Sequence, residues 1–187
     1  MKKNPGREVA VYNPTNYPLI GRGKQGAVFK LSKTHCVKIF ATRRDFERES
    51  AAYLNAKGSP IIPKLYKIGP NYIIMEYIDG ISLQEYLRKK RMLPEMLTKQ
   101  ILFMFHEMKR LKFKRMNIRL KHIILTKKYV PKVVDHVNTF LLKDKKPIFL
   151  FDELDRLGLL RTFLKQVKKL DRDTYREWKK SMSEYFE

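Results

Sequence analysis

Apolar residues between Tyr17 and Tyr77 come in short runs with polar residues interleaved. The runs are YPLI, AVFKL, HCVKIF, LYKI and NYIIMEY, all but HCVKIF bounded on at least one side by Gly, Pro, Ser or Asn. Alternation on this scale predicts half-buried strands. The reading is a hairpin over Tyr17–Lys30, a third strand at His35–Phe40 after the turn Ser32-Lys33-Thr34, and two more at Leu65–Ile68 and Asn71–Tyr77 joined by Gly69-Pro70. One helical period interrupts them: over Asp45–Lys57, Phe46, Ser50 or Ala52, and Tyr53-Leu54 recur on one face, with Gly58 as the stop. Beyond Tyr77 the period turns mostly helical. Ser82-Leu83-Gln84-Glu85 has the form of a capping box opening a short helix. Leu93–Phe113 is the longest pattern, with Leu97, Ile101, Met104, Phe105, Met108 and Leu111 in one stripe and Pro94 in the first turn.

The remaining pattern gives two short strands, Ile123-Ile124-Leu125 and Lys132-Val133-Val134, about the turn Thr126–Tyr129. A helix follows over Phe151–Leu170, interrupted near Gly158. Another spans Asp173–Tyr185, with Trp178 and Tyr185 as packing residues. Residues 136–150 read as a short extended piece with a KDKK turn. Residues 1–16, with Pro5 and Pro14, read as a loose N-terminal extension. The class is α+β. The expected organisation is that extension, a sheet-bearing unit over 17–79 and a mostly helical unit over 80–187.

Composition narrows the picture. The chain has 187 residues, 43% of them hydrophobic, enough for a packed core. No run reaches 18 apolar residues, so no membrane span is expected. No apolar stretch backs the basic N-terminal residues, as a secretory signal would need. Cytoplasmic residence is the expectation. The single cysteine, Cys36, rules out an internal disulfide framework or a cysteine-built metal site, and reads as a buried strand residue. The net charge of +22 is unevenly spread. Fifteen Lys and Arg face three acids between Leu83 and Val134. Such a face attracts polyanions: nucleotide, nucleic acid, anionic lipid or an acidic protein.

Candidate chemistry centres on Gly21, Gly23 and Gly26, followed by Val28 and then by Lys38 inside Cys36–Phe40. Both flanks of the glycines read as strands. A dinucleotide fingerprint needs a helix directly after them, so that reading fails. A glycine hairpin folded over phosphates, with Lys38 on the next strand, fits better.

In Gly21-x-Gly23-x-x-Gly26-x-Val28 followed by Val37-Lys38-Ile39, the chain resembles the protein kinase superfamily. The resemblance runs over roughly residues 17–140 and is closest to compact, atypical bacterial-type kinases. It implies a two-lobed fold: a five-stranded antiparallel N-lobe with one helix, and a small, truncated, mostly helical C-lobe. It implies that Lys38 is held by a glutamate of the next helix, Glu47 or Glu49; Glu49 is favoured because Tyr53-Leu54 would turn that helix inward. It implies a hinge at Met75-Glu76-Tyr77-Ile78, whose Glu76 carbonyl and Ile78 backbone meet an adenine edge. The expected cofactors are ATP and Mg²⁺, with Mn²⁺ as a substitute.

The segment matching the kinase catalytic loop departs from it. Asn117 stands at the catalytic aspartate position and His122 at the metal-binding asparagine position; Asp135 keeps the identity of the metal-binding aspartate. The steps from Asn117 to His122 and to Asp135 are as in the family. An amide cannot accept a proton, and general-base catalysis is worth roughly 10²- to 10⁴-fold. His122 is a poor ligand for Mg²⁺, which prefers oxygen. Lys121 is a candidate for charge on the γ-phosphate, and Asn117 for orienting the acceptor. No A-P-E motif follows Asp135, so the resemblance implies a reduced peptide platform. Three readings follow: a weak atypical serine/threonine kinase, a nucleotide-binding pseudokinase, and a basic nucleic-acid-associated protein with its footprint at Lys109–Lys121. His106, without an acid at ligand spacing on its helix, reads as a surface histidine.

Overall fold

The computed structural model describes residues 16–141 and 143–187. The expected N-terminal extension lies outside the described residues apart from Asn16. The fold is α+β, with a five-stranded antiparallel sheet and six α-helices among the described residues. The chain divides into two compact units, Met1–Asp79 and Gly80–Glu187.

In the first unit, β1 (Leu19–Gly23), β2 (Gly26–Lys30), β3 (His35–Phe40), β4 (Leu65–Ile68) and β5 (Tyr72–Glu76) pair in the order β1-β2-β3-β5-β4. Lys24-Gln25 closes the first hairpin between paired Gly23 and Gly26. Gly26 has φ +151°, and a Cβ there would run into the Ile39 carbonyl of the neighbouring strand. The sheet itself therefore demands this glycine. Helix α1 (Arg43–Asn55) starts two residues before the expected Asp45 because Thr42 caps it, its hydroxyl accepting from the Asp45 N–H. Such a cap is worth about 1 kcal/mol. Gly58, with φ +85°, follows the helix end. The buried stripe of α1 is Glu49, Ser50, Ala52 and Tyr53. Leu54, expected to face inward, is 55% exposed. Successive helical residues point about 100° apart, and Tyr53 takes the seam, its hydroxyl 2.8 Å from Met75 Sδ.

The second unit has a three-stranded antiparallel sheet, β6 (Gly80–Ser82), β7 (Ile123–Thr126) and β8 (Pro131–Val133), in that order. Three residues carry no readable alternation, which is why β6 escapes the sequence pattern. Helix α2 (Leu83–Lys90) opens on Ser82, whose hydroxyl accepts from Glu85 N–H as the capping pattern anticipates. Helix α3 (Glu95–Arg110) buries Leu97, Ile101, Met104 and Met108 to 1% exposure or less. Full burial of such side chains contributes roughly 1.5–3 kcal/mol each. Leu111, assigned to the same stripe, lies past the helix end and is half-buried. The expected helix over 151–170 is two helices, α4 (Ile148–Arg156) and α5 (Leu160–Leu170), separated at Gly158 with φ +69°. The last helix, α6 (Arg172–Ser181), ends before a 3-10 turn at Ser183–Tyr185. Phe151 centres an aromatic cluster with Trp178 and Tyr185, each ring centroid 5.3 Å away. Tyr185 is less buried than expected of a packing residue; its hydroxyl donates to Asp152 at 2.6 Å. No helix among the described residues is long and apolar enough to cross a membrane.

Candidate functional site

Register places the glycine hairpin beside the lysine. Gly21 pairs with Val28, Val28 with Lys38, and Lys38 with Ile73. Directly opposed residues share a sheet face, so Gly21, Val28 and Lys38 form one row across three strands. A Cβ added at Gly21 would make only ordinary contact with Val28, and one added at Gly23 meets nothing within 4 Å. Of the three hairpin glycines packing demands only Gly26; Gly21 and Gly23 would each accept a Cβ without a clash.

The inward face of α1 brings Glu49 to Lys38. Lys38 Nζ lies 2.6 Å from Glu49 Oε2, with the two side chains 10% and 1% exposed. Glu47, the other candidate, points outward and pairs with Arg43 at 2.7 Å. A charge pair this buried is costly to desolvate and is weak evidence for stability, so its presence calls for a reason beyond packing. Met75 is 6% exposed. The Glu76 carbonyl, expected to stand free, accepts from the Cys36 thiol at 3.6 Å. Ile78 makes no backbone hydrogen bond among the described residues. Burial, with the Glu76 carboxylate adding to it, pushes the Cys36 thiol up to about 11.

In the second unit, the segment 115–122 wraps a cavity of about 20 Å³ lined by Arg115, Asn117, His122 and Asp135 among others. Asp135 adopts φ +69°. A left-handed non-glycine residue costs of order 1–3 kcal/mol and is a pointer to function. His122 Nδ1 lies 3.8 Å from Asp135 Oδ2. Burial holds His122 below its ordinary value against the pull of Asp135, with Lys121, Arg115 and Arg119 pressing the same way as burial. The imidazole is therefore neutral at pH 7. Lys121 is exposed on the 3-10 turn Leu120–His122.

Asn117 has a task the sequence did not suggest. It is 5% exposed. Its Nδ2 donates to Asp144 Oδ2 at 3.0 Å, and its Oδ1 accepts from the Phe149 N–H at 2.7 Å. The Asp144 backbone also bonds to Lys114 and Met116. Both ends of the amide thus tie the loop to Asp144 and to the first turn of α4. Three further residues act here. Glu153, buried on α4, accepts from the Leu120 N–H at 2.7 Å and faces Arg119 at 3.5 Å. The Arg119 guanidinium also lies 4.2 Å from the Phe149 ring centroid. Arg115 Nε is buried with no hydrogen-bond partner. Glu153 stands on α4 between Asp152 and Asp155, and the sequence does not set it apart from them; Arg115 and Asp144 had no signal either.

The stretch Lys109–Lys121 is less free than its composition suggests. Lys109 pairs with Glu177 at 2.6 Å and Arg110 with Glu107 at 2.7 Å. Arg119 faces Glu153, and Arg115 lines the cavity. His106, expected to be an unpartnered surface histidine, lies 2.8 Å from Asp171 Oδ2, an acid 65 residues away.

No family model matches the chain. Over 122 residues it is 27% identical to a Bacillus subtilis (strain 168) protein named "Putative serine/threonine-protein kinase YrzF". The match covers 63% of this chain and 57% of that protein. This likeness supports a kinase-like relationship and agrees with the five-stranded sheet of the first unit.

Proposed function

We propose that this chain is an ATP-binding, protein-kinase-like protein that acts as a weak, atypical serine/threonine kinase. The buried Lys38–Glu49 pair beside the glycine hairpin carries the reading. Glu49 fixes the ammonium, and Lys38 presents it to the α- and β-phosphates. Gly21, Gly23 and Gly26 close over them, and Val28 with Met75 flanks the base, whose edge meets the Glu76 and Ile78 backbone. Asp135 would hold the magnesium ion. Among the described residues no group of three His, Cys, Asp or Glu could hold a metal. Asp135 would therefore be a sole carboxylate ligand, and Mg²⁺ commonly keeps several waters and takes one or two carboxylates plus phosphate oxygens. When bound, the ion offsets charge on the transferred phosphoryl group. His122, a neutral imidazole, is better suited to Mn²⁺.

In transfer, the hydroxyl oxygen forms a bond to the γ-phosphorus as the bond to the β,γ-bridging oxygen breaks, and the hydroxyl proton leaves to solvent. Asn117 takes no proton, so the step runs roughly 10²- to 10⁴-fold below one with a general base. Lys121, exposed on the same loop, would offer charge to the γ-phosphate.

The commitment of Asn117 to Asp144 and Phe149 favours a second reading, a nucleotide-binding pseudokinase. One experiment separates the two: thermal melts with ATP and Mg²⁺ or Mn²⁺, followed by transfer of labelled γ-phosphate to dephosphorylated casein. A metal-dependent stabilisation lost in Asp135→Ala, with slow labelling, is expected. Stabilisation without labelling supports the pseudokinase. No response to ATP sinks both.

A further inference from the structure

We propose that a cleft built on α5 and α6 binds the phosphate backbone of a nucleic acid. The cleft has a volume of about 670 Å³ and is lined by Lys165, Lys168, Lys169, Arg172, Arg176 and Lys179 around Tyr175. No acid lines it. It lies outside the stretch 83–134 that composition singles out, and nothing in the kinase-like reading uses it.

Charge segregation on α6 produces the site. Its cap Asp171 and its Glu177 are spent on α3, against His106 at 2.8 Å and Lys109 at 2.6 Å. The cations face the other way. Two of the six have an acid partner: Lys169 is hydrogen-bonded to the half-buried Glu95 at 2.7 Å, and Arg176 lies loosely 3.5 Å from the exposed Asp173. Lys165, Lys168, Arg172 and Lys179 make no ion pair among the described residues. Arg172, Arg176 and Lys179 recur one turn apart, about 4.5–6 Å along the helix axis. A row of cations at that spacing suits a chain that carries a charge every few ångströms.

The shape and chemistry select among polyanions. A membrane-surface helix presents Trp, Phe or Leu to the headgroup boundary. None of the exposed large hydrophobic residues lies beyond Leu141, and a concave site suits a strand better than a plane. Tyr175, half-buried beneath Lys168 Nζ at 5.7 Å from the ring centroid, adds an aromatic surface beside the phosphates.

The test is fluorescence anisotropy of labelled 20-nucleotide RNA and 20-base-pair DNA with the full chain, across 50–200 mM salt. The variant Lys168→Glu/Arg172→Glu/Arg176→Glu is compared with a charge-matched control, Arg88→Glu/Lys90→Glu/Lys128→Glu. A milder Lys168→Ala/Arg172→Ala/Arg176→Ala variant is included, and circular dichroism melts confirm that each folds. Each lost phosphate contact lowers the log–log salt slope by about 0.9 on duplex DNA and about 0.7 on single strands. The cleft variants are therefore expected to lose about 2–3 from the slope, and the control much less. Equal losses in cleft and control variants overturn the proposal in favour of net charge alone. It is also overturned if phosphatidylserine vesicles or polyglutamate bind more tightly than either nucleic acid, or if neither nucleic acid binds at 50 mM salt. The kinase-like reading is untouched by any of these results.

Discussion

The Lys38–Glu49 pair gives the sharpest prediction, because packing and phosphate binding require different things of it. Lys38→Met leaves a carboxylate that is 1% exposed without its lysine 2.6 Å away. Removing one member of a buried pair costs about 3–5 kcal/mol. At about 2–4 °C per kcal/mol for a chain of this size, the melting temperature falls by about 6–20 °C. Lys38→Met/Glu49→Leu removes both charges and keeps the volume filled, and buried pairs replaced in this way are often neutral or more stable. The double variant is therefore expected to regain most of the lost stability. Calorimetric melts of wild type, both single variants and the double variant close the cycle. Adding ATP separates the roles. A ligand at 100 times its dissociation constant stabilises by about 2.7 kcal/mol, a rise of about 5–11 °C. Wild type should show that rise; the double variant, though well folded, should not. An ATP response of wild-type size in the double variant would falsify the assignment of Lys38 to the phosphates. A Lys38→Met variant as stable as wild type would refute the energetics of the pair.

Other outcomes follow from the same geometry. Gly23→Ala should fold with unchanged or slightly raised stability, by about 0.4–1 kcal/mol where φ permits, because its Cβ meets nothing; a weakened ATP response would then report ligand contact. Gly26→Ala should lower the melting temperature, since its Cβ meets the Ile39 carbonyl. Asn117→Asp should not simply restore a base: it loses the donor to Asp144 and sets two carboxylates together, costing on the order of 1–3 kcal/mol by denaturant melts. Asn117→Asp/Asp144→Asn should recover that stability, and labelling of casein in the double variant measures what a carboxylate at 117 adds. For Cys36 the folded thiol is raised to about 11 from 9.0. Its contribution to stability is complete below pH 9 and is lost as pH rises through 11, because only the unfolded thiol ionises freely. Native protein should also react with iodoacetamide at pH 8 far more slowly than urea-unfolded protein.

Much of this molecule is legible in local pattern. Alternation and helical period placed strands β1 to β5, β7, helix α3 and the Ser82 cap, because each depends on neighbours in sequence. The pairing of Lys38 with Glu47 or Glu49 came from the resemblance to kinases, and the inward position of Tyr53 on the same helix favoured Glu49, which is the one that meets Lys38. Three kinds of fact needed tertiary structure. Gly26 is indispensable because of a carbonyl on another strand, whereas Gly21 and Gly23 are not; the sequence makes the three look alike. Asn117 reads as a degraded catalytic residue, yet its amide is a bolt to Asp144 and Phe149, whose partnership spans 27 and 32 residues. The basic composition is spread over the chain, but ion pairing decides which cations stay open. Glu177, Glu107 and Glu153 pair with Lys109, Arg110 and Arg119, while α6 directs Glu177 and its cap Asp171 to α3 and leaves Arg172, Arg176 and Lys179 lining the cleft. Periodicity assigns a residue to a face of its own element; only the packing of distant elements decides what that face meets.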